Sequence, residues 1–232
     1  MKHALSALVL PVVLAAVAAA PAEGQRIDSP YRFVSPSQHA GVFVGQFSAS
    51  EGRLDMGPQP GPTFGARWGI RVSGPLAVGL EVGYTPTQRT VRDTVFLAAD
   101  SSFRALGEAE MRLLSLMGQV RFNVTGARTW HGLQPFVGLG AGAVFDRGER
   151  RAFDEELTEQ SRYSFGTTFA AQVGAGVEWF ATERLAVRVD ARNMMWKLGV
   201  PDAFLLTEQG RTLSASEWEN NFVISAGLSL HF

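Results

Sequence analysis

The chain has 232 residues, no cysteine, 25 glycines, 16 phenylalanines and a formal net charge of -1. That balance excludes a polybasic nucleic-acid surface, and the lack of cysteine excludes a disulfide framework or a lipid-modified N-terminal cysteine. Mean hydropathy is +0.03, and only one run is apolar enough to cross a bilayer as a helix, so a helical membrane bundle is excluded too.

That run comes first. Met1-Lys2-His3, the apolar stretch Ala4 to Ala20 and the small residues Ala18-Ala19-Ala20-Pro21-Ala22 read as a secretory leader, residues 1–22, cleaved after Ala22, with Gly24 as the alternative. Pro11 interrupts the run and no basic stop-transfer cluster follows, which argues against a retained anchor. Residues 23–37, with Ser29-Pro30 and Ser35-Pro36, are expected to form an irregular periplasmic segment.

From residue 38 to 232 the pattern is extended strand. A first strand is expected around Gly41–Ser48, with Phe43 and Phe47 on one face and Gln46 and Ser48 on the other. In the second, Phe64, Ala66, Trp68, Ile70 and Val72 alternate against Gly65, Arg67, Gly69 and Arg71. A charge on the lipid face of a barrel costs roughly 2–4 kcal/mol at the midplane, so Arg67 and Arg71 are expected to point inward. The third strand sets Leu76, Val78, Leu80, Val82 and Tyr84 against Ala77, Gly79, Glu81 and Gly83, after the tight Ser73-Gly74-Pro75 turn. A long polar connection is then expected to about Glu110.

The fourth strand opposes Leu114, Leu116, Val120 and Phe122 to Ser115, Met117, Gln119, Arg121 and Asn123. A turn with Trp130 and His131 leads to the fifth, Gln134 to Phe145, whose Gly138, Gly140 and Gly142 share a face, as a narrow interior requires. The sixth is expected to place Phe165, Thr167, Phe169, Ala171, Val173, Ala175, Val177 and Trp179 outward, with Gln172 and Glu178 inward. The seventh places Leu185, Val187, Val189 and Ala191 outward against Arg188, Asp190 and Arg192. Asn193 to Asn220 reads as the last long connection. In the eighth, Phe222, Ile224, Ala226, Leu228, Leu230 and Phe232 alternate against Asn221, Ser225, Gly227, Ser229 and His231.

Long connections follow the odd strands and short turns the even ones, which predicts an all-β, eight-stranded antiparallel transmembrane β-barrel, an up-and-down meander with extracellular loops and periplasmic termini. The large apolar residues share a face, and the other face reads as too polar and too small for a dry core, which argues against a soluble barrel.

Pro135 to Gly142, Gln172 to Trp179 and Asn221 to Phe232 resemble strands of the small outer-membrane β-barrel family that includes the OmpA transmembrane domain and OmpX-like proteins. The resemblance implies residence in a bacterial outer membrane among lipid and lipopolysaccharide, and handling by periplasmic chaperones. It also implies that Phe232 is part of the signal read by the barrel assembly machinery.

The inward charges Arg67, Arg71, Arg121, Arg188 and Arg192 against Glu81, Glu178 and Asp190 are expected to pair and fill the lumen, with Arg67 across from Glu81 and Glu178 near Arg188. A monomer without cofactor, metal site or catalytic residue is expected, in a structural or surface-interacting role through its long loops. A narrow pore for ions or small solutes is the alternative. A lipid A-modifying enzyme is the third reading, disfavoured because His39, His131 and His231 all fall at the periplasmic end. The Asp154-Glu155-Glu156 run reads as a solvated acidic patch. Phe96, Phe103, Trp196, Phe204 and Trp218 are expected to pack loops together or to form a binding patch.

Overall fold

The computed structural model describes residues 29–97, 102–148, 157–205 and 214–232. The leader reading over 1–22 and the Asp154-Glu155-Glu156 run lie outside the described residues. Ten strands are present among the described residues: β1 (Tyr31–Phe33), β2 (Gln38–Ser48), β3 (Gly61–Arg71), β4 (Leu76–Leu97), β5 (Ser102–Asn123), β6 (Arg128–Trp130), β7 (Leu133–Asp146), β8 (Thr167–Phe180), β9 (Leu185–Gly199) and β10 (Ser216–His231). Eight of them, β2, β3, β4, β5, β7, β8, β9 and β10, pair antiparallel in sequence order. The ring closes where β10 returns to β2, with Ser225 opposite Gly45 and Leu230 opposite Ala40. Closure leaves no edge of unpaired backbone groups in hydrocarbon.

The period-two pattern decides which way each side chain faces. Leu80, Val120, Leu139, Ile224 and Leu228 are each more than half exposed on the outside of the ring. Their neighbours Glu81, Arg121, Ser225 and Ser229 are buried inside it. Glycines open the inner wall for rings on adjacent strands. A Cβ at Gly65 would strike the Phe43 ring, one at Gly69 the His39 ring, and one at Gly176 would lie 2.7 Å from Phe136 Cζ.

Several expectations need correction. The stretch from Thr85 to Glu110 is no loop: β4 and β5 are 22 residues each and continue as a hairpin past the membrane band. Thr85, Thr87, Thr90, Val91, Thr94 and Val95 favour extended backbone, but polar residues on both faces hide the alternation. The stretch from Asn193 to Asn220 likewise carries β9 on to Gly199 and starts β10 at Ser216. The segment before the barrel contains β1, which pairs with β6 inside the expected Trp130-His131 turn. Phe43 and Phe47 do share a face opposite Gln46 and Ser48, as expected, and that face is the lumen side, with Val42 and Val44 outward. Phe165 precedes β8 and is buried instead of facing outward.

At the long-loop end the β3–β4 ladder stops at Phe64 opposite Tyr84. Pro60, Pro62 and Pro86 have no N–H to continue it. An open cleft of about 390 Å³ lies there on the outer surface, lined by Pro62, Pro86, Thr87, Glu110 and Arg112. Behind it Thr85 donates to the Thr63 hydroxyl at 2.9 Å and Met111 is fully buried, so the cleft is shut toward the lumen.

Candidate functional site

The lumen is filled in two storeys, with the β9 inner stripe running through both: Ala186, Arg188, Asp190 and Arg192, then Met194, Trp196 and Leu198.

The storey nearer the short turns is ionic. Arg67 and Glu81 face each other across β3 and β4, and Arg67 Nε meets Glu81 Oε2 at 2.6 Å. The same guanidinium reaches Asp190 Oδ2 at 2.9 Å and donates to Ser225 Oγ at 2.9 Å. Glu81 also accepts from Gln119 Nε2 at 2.9 Å and pairs with Arg192. Nearer the mouth, Arg121 holds Glu178 at 3.0 Å, and His231 Nε2 lies 3.2 Å from the other Glu178 oxygen. The register sets Glu178 opposite Arg188, whose Nε lies 3.3 Å from Asp190 Oδ2. Arg71 stays apart from this group. Its guanidinium donates to the carbonyls of Ser35, at 3.2 Å, and Pro36, tying the N-terminal segment across the mouth.

In this storey four buried guanidiniums, those of Arg67, Arg121, Arg188 and Arg192, therefore face the three buried carboxylates of Glu81, Glu178 and Asp190. Two aromatic rings take up the imbalance. Phe43 carries Arg67 at 4.1 Å and Arg192 at 5.0 Å, and Phe136 carries Arg188 at 4.3 Å and Arg121 at 5.2 Å. A desolvated guanidinium over a ring gains about 2 kcal/mol, so the rings belong to the charge network as much as the carboxylates do. Neither ring was expected beneath a guanidinium, although Gly65 and Gly176 are the gaps they fill.

The storey nearer the long loops is mainly apolar, against the expectation that the inner face is too polar for a core, with Arg89 buried at its edge 5.5 Å over the Tyr163 ring. Phe47, Met111, Leu113, Met117, Val144, Met194, Trp196, Leu198 and Val223 pack together inside the ring. Met56, Tyr163, Phe165 and Phe204 from the connections roof it. Trp196 is the hub, stacked on Phe47 at 5.8 Å and meeting Phe165 edge-on at 5.7 Å. Phe103 of the hairpin meets Phe204 edge-on at 4.8 Å. Burial pushes the Tyr163 phenol up, so it stays neutral in this roof. Of the aromatic residues expected to pack loops or bind, Trp196, Phe103 and Phe204 pack inside, and Trp218 is exposed on the outer wall beside Lys197. The Phe96 side chain lies outside the described residues.

Among the described residues, three voids in the ring are small. Those lined by Thr63, Ser115 and Trp196, by Gln119, Gln172 and Asp190, and by His39, Arg67 and Arg121 measure about 20, 30 and 20 Å³. Each has room for a single water. His39 and His231 stack at 5.4 Å inside the short-turn end, and His131 sits in a turn with φ of 51°. Phe232 exchanges backbone hydrogen bonds with Gln38, both at 3.0 Å, at the seam where the ring closes.

The family model described as outer membrane protein beta-barrel domain matches residues 5–232. No curated protein matches by sequence. Among solved structures the chain is similar to the outer membrane protein OprG from Pseudomonas aeruginosa, with a TM-score of 0.52 and 13% identity over 85% of this chain and 97% of that one. It is also similar to Neisserial surface protein A, with a TM-score of 0.46 and 14% identity over 88% and 98%. Outer membrane protein W of E. coli gives a TM-score of 0.45 and 15% identity over 85% and 98%.

Proposed function

Because the chain belongs to the outer-membrane β-barrel domain family, a group of proteins of the bacterial outer membrane, we propose that it works as a closed barrel whose activity lies on its outer end. The short turns face the periplasm and the long connections face outward. The lumen does not conduct, and the exposed hairpin and loops meet material at the cell surface.

The observation that carries this reading is the interior filled by the described residues, with voids among them of about 20 to 30 Å³ where a conduit would need a continuous path. A membrane strand needs about 9–11 residues, and β4 and β5 have 22 each. Their outer halves form a hairpin braced internally by Arg92 Nη1 donating to the Phe103 carbonyl at 2.7 Å and tied to the β2–β3 connection by Arg92 to Asp55 at 2.9 Å. A stiff projection from a plugged barrel suits display better than transport. The lumen network of Arg67, Glu81, Arg121, Glu178, Arg188, Asp190 and Arg192 acts as the plug, and Arg71 as a clamp on the N-terminal segment. The reading assigns no catalytic step, cofactor or metal to the chain, and takes it as a monomer. Phe232 serves assembly.

The test removes the outer hairpin, residues 90–107, behind a short turn. Cells displaying either version are compared for adhesion to host-cell layers and abiotic surfaces. The expected result is a folded barrel with adhesion lost; equal adhesion by both versions overturns the display reading.

A further inference from the structure

β1 and β6 form a two-stranded ribbon below the ring at the short-turn end, with Tyr31 opposite Trp130, Arg32 opposite Thr129 and Phe33 opposite Arg128. Residues directly opposite and two apart share a face of a ladder. Tyr31, Phe33, Arg128 and Trp130 are therefore on one side, and Arg32 and Thr129 on the other. Thr129 is buried although Arg32 opposite it is exposed, and the pairing of the ring-bearing side with the outer wall shows that this side is the outer one. Trp130 pairs with Leu133 at the foot of β7, and Leu133 pairs with Trp179 of β8. The aromatic side thus continues the wall that carries Val137 and Trp179 toward lipid.

Protein covers this face only in part among the described residues, the His131 ring meeting Trp130 edge-on at 4.8 Å. Phe33 is 68% exposed, Tyr31 49% and Trp130 48%, and the Arg128 guanidinium lies 4.5 Å over the Phe33 ring. Residues 29–37 and 124–132 hold Arg32, Arg128 and His131 and no aspartate or glutamate. The ribbon is held in place: Val34 N donates to the Ala127 carbonyl at 3.0 Å, His131 N to the Pro30 carbonyl at 2.8 Å, and Arg71 grips the carbonyls of Ser35 and Pro36. Three rings fixed in position just beyond the hydrocarbon band, with a stacked guanidinium among them, match one environment. Rings favour the glycerol level of a bilayer, and a guanidinium pairs with phosphate through two parallel N–H donors.

We propose that the outer face of the β1–β6 ribbon is a docking shelf for an anionic phospholipid of the periplasmic leaflet, with Arg128 on its phosphate and Tyr31, Phe33 and Trp130 against its glycerol and upper acyl region. The shelf anchors the N-terminal segment to the membrane and fixes the barrel's depth in that leaflet. The inference requires the short turns to face the periplasm but not the display role, so failure of the adhesion test leaves it standing.

Full-length protein is folded into nanodiscs of phosphatidylcholine doped with phosphatidylglycerol, extracted, and weighed intact with its bound lipid by native mass spectrometry. The expected result is preferential retention of phosphatidylglycerol that weakens as salt is raised. Arg128→Gln should lower that retention about fivefold, the worth of one cation near an anionic surface. Phe33→Ser should lower retention of both lipids. Lys197→Gln, which removes the cation beside Trp218 at the opposite rim, should change nothing. Equal retention of the two lipids by the unsubstituted protein at low salt overturns the proposal without recourse to any variant. So does unchanged retention in Arg128→Gln, or a dimer or periplasmic protein that protects Phe33 from labelling in place of lipid.

Discussion

The two storeys of the lumen are built on the same eight strands with the same alternation, yet one is packed with ion pairs and the other with hydrocarbon. On β9 the change falls between Arg192 and Met194, two residues on one stripe. Outward apolar side chains back both storeys: Leu80 and Val120 flank Glu81 and Arg121, and Leu116 and Ile224 flank Met117 and Val223. The charges of the ionic storey must satisfy one another, since a partner of the wrong shape leaves an uncompensated buried ion. The apolar storey, roofed by the loops, asks chiefly for volume. The inner face of a small barrel is therefore free to be polar or apolar, provided it is full.

This contrast can be broken in order of effect. Glu81→Gln is nearly isosteric but takes the carboxylate from Arg67 and Arg192 together, and should cost about 3–5 kcal/mol in urea unfolding of the detergent-folded protein. A loss below about 1 kcal/mol would mean the ionic storey is wet and screened. Trp196→Ala should cost about 3 kcal/mol, at the lower end for such truncations because the roofing connections can settle into the gap. Trp196→Phe, which keeps the storey apolar, should cost under about 1.5 kcal/mol in the same assay. The ionic storey should thus fail under a conservative exchange that its neighbour tolerates. Phe43→Leu removes the ring beneath two guanidiniums and should cost about 1–2 kcal/mol. At the outer rim, Arg53 is 67% exposed and pairs with Glu217 at 3.3 Å, and Arg53→Ala should shift the same midpoint by well under about 1 kcal/mol.

The ring itself was legible in the sequence wherever lipid imposes an apolar outer face. β3, the inner half of β4, β8 and the inner half of β10 could be read residue by residue. Beyond the membrane that constraint lapses. Thr85 to Glu110 then looked like a loop although its threonines and valines form strands, and Met194, Trp196 and Leu198 were lost in an expected connection although their alternation with Asn193, Met195 and Lys197 was available. The pairing of Arg67 with Glu81 followed from the length of one tight turn. The reach of Arg67 to Asp190, and the seating of Phe43 and Phe136 beneath arginines, cross the lumen between strands distant in sequence and depend on closure. The glycines facing those rings were the one local trace of it.

Single-channel recording of the full-length protein in a planar bilayer at neutral pH tests the plugged interior most directly. The account predicts a silent membrane with no discrete steps over long recordings. Discrete ohmic openings that disappear in a variant with Arg67, Arg121 and Arg188 neutralised together would show a working conduit where the account places a seal.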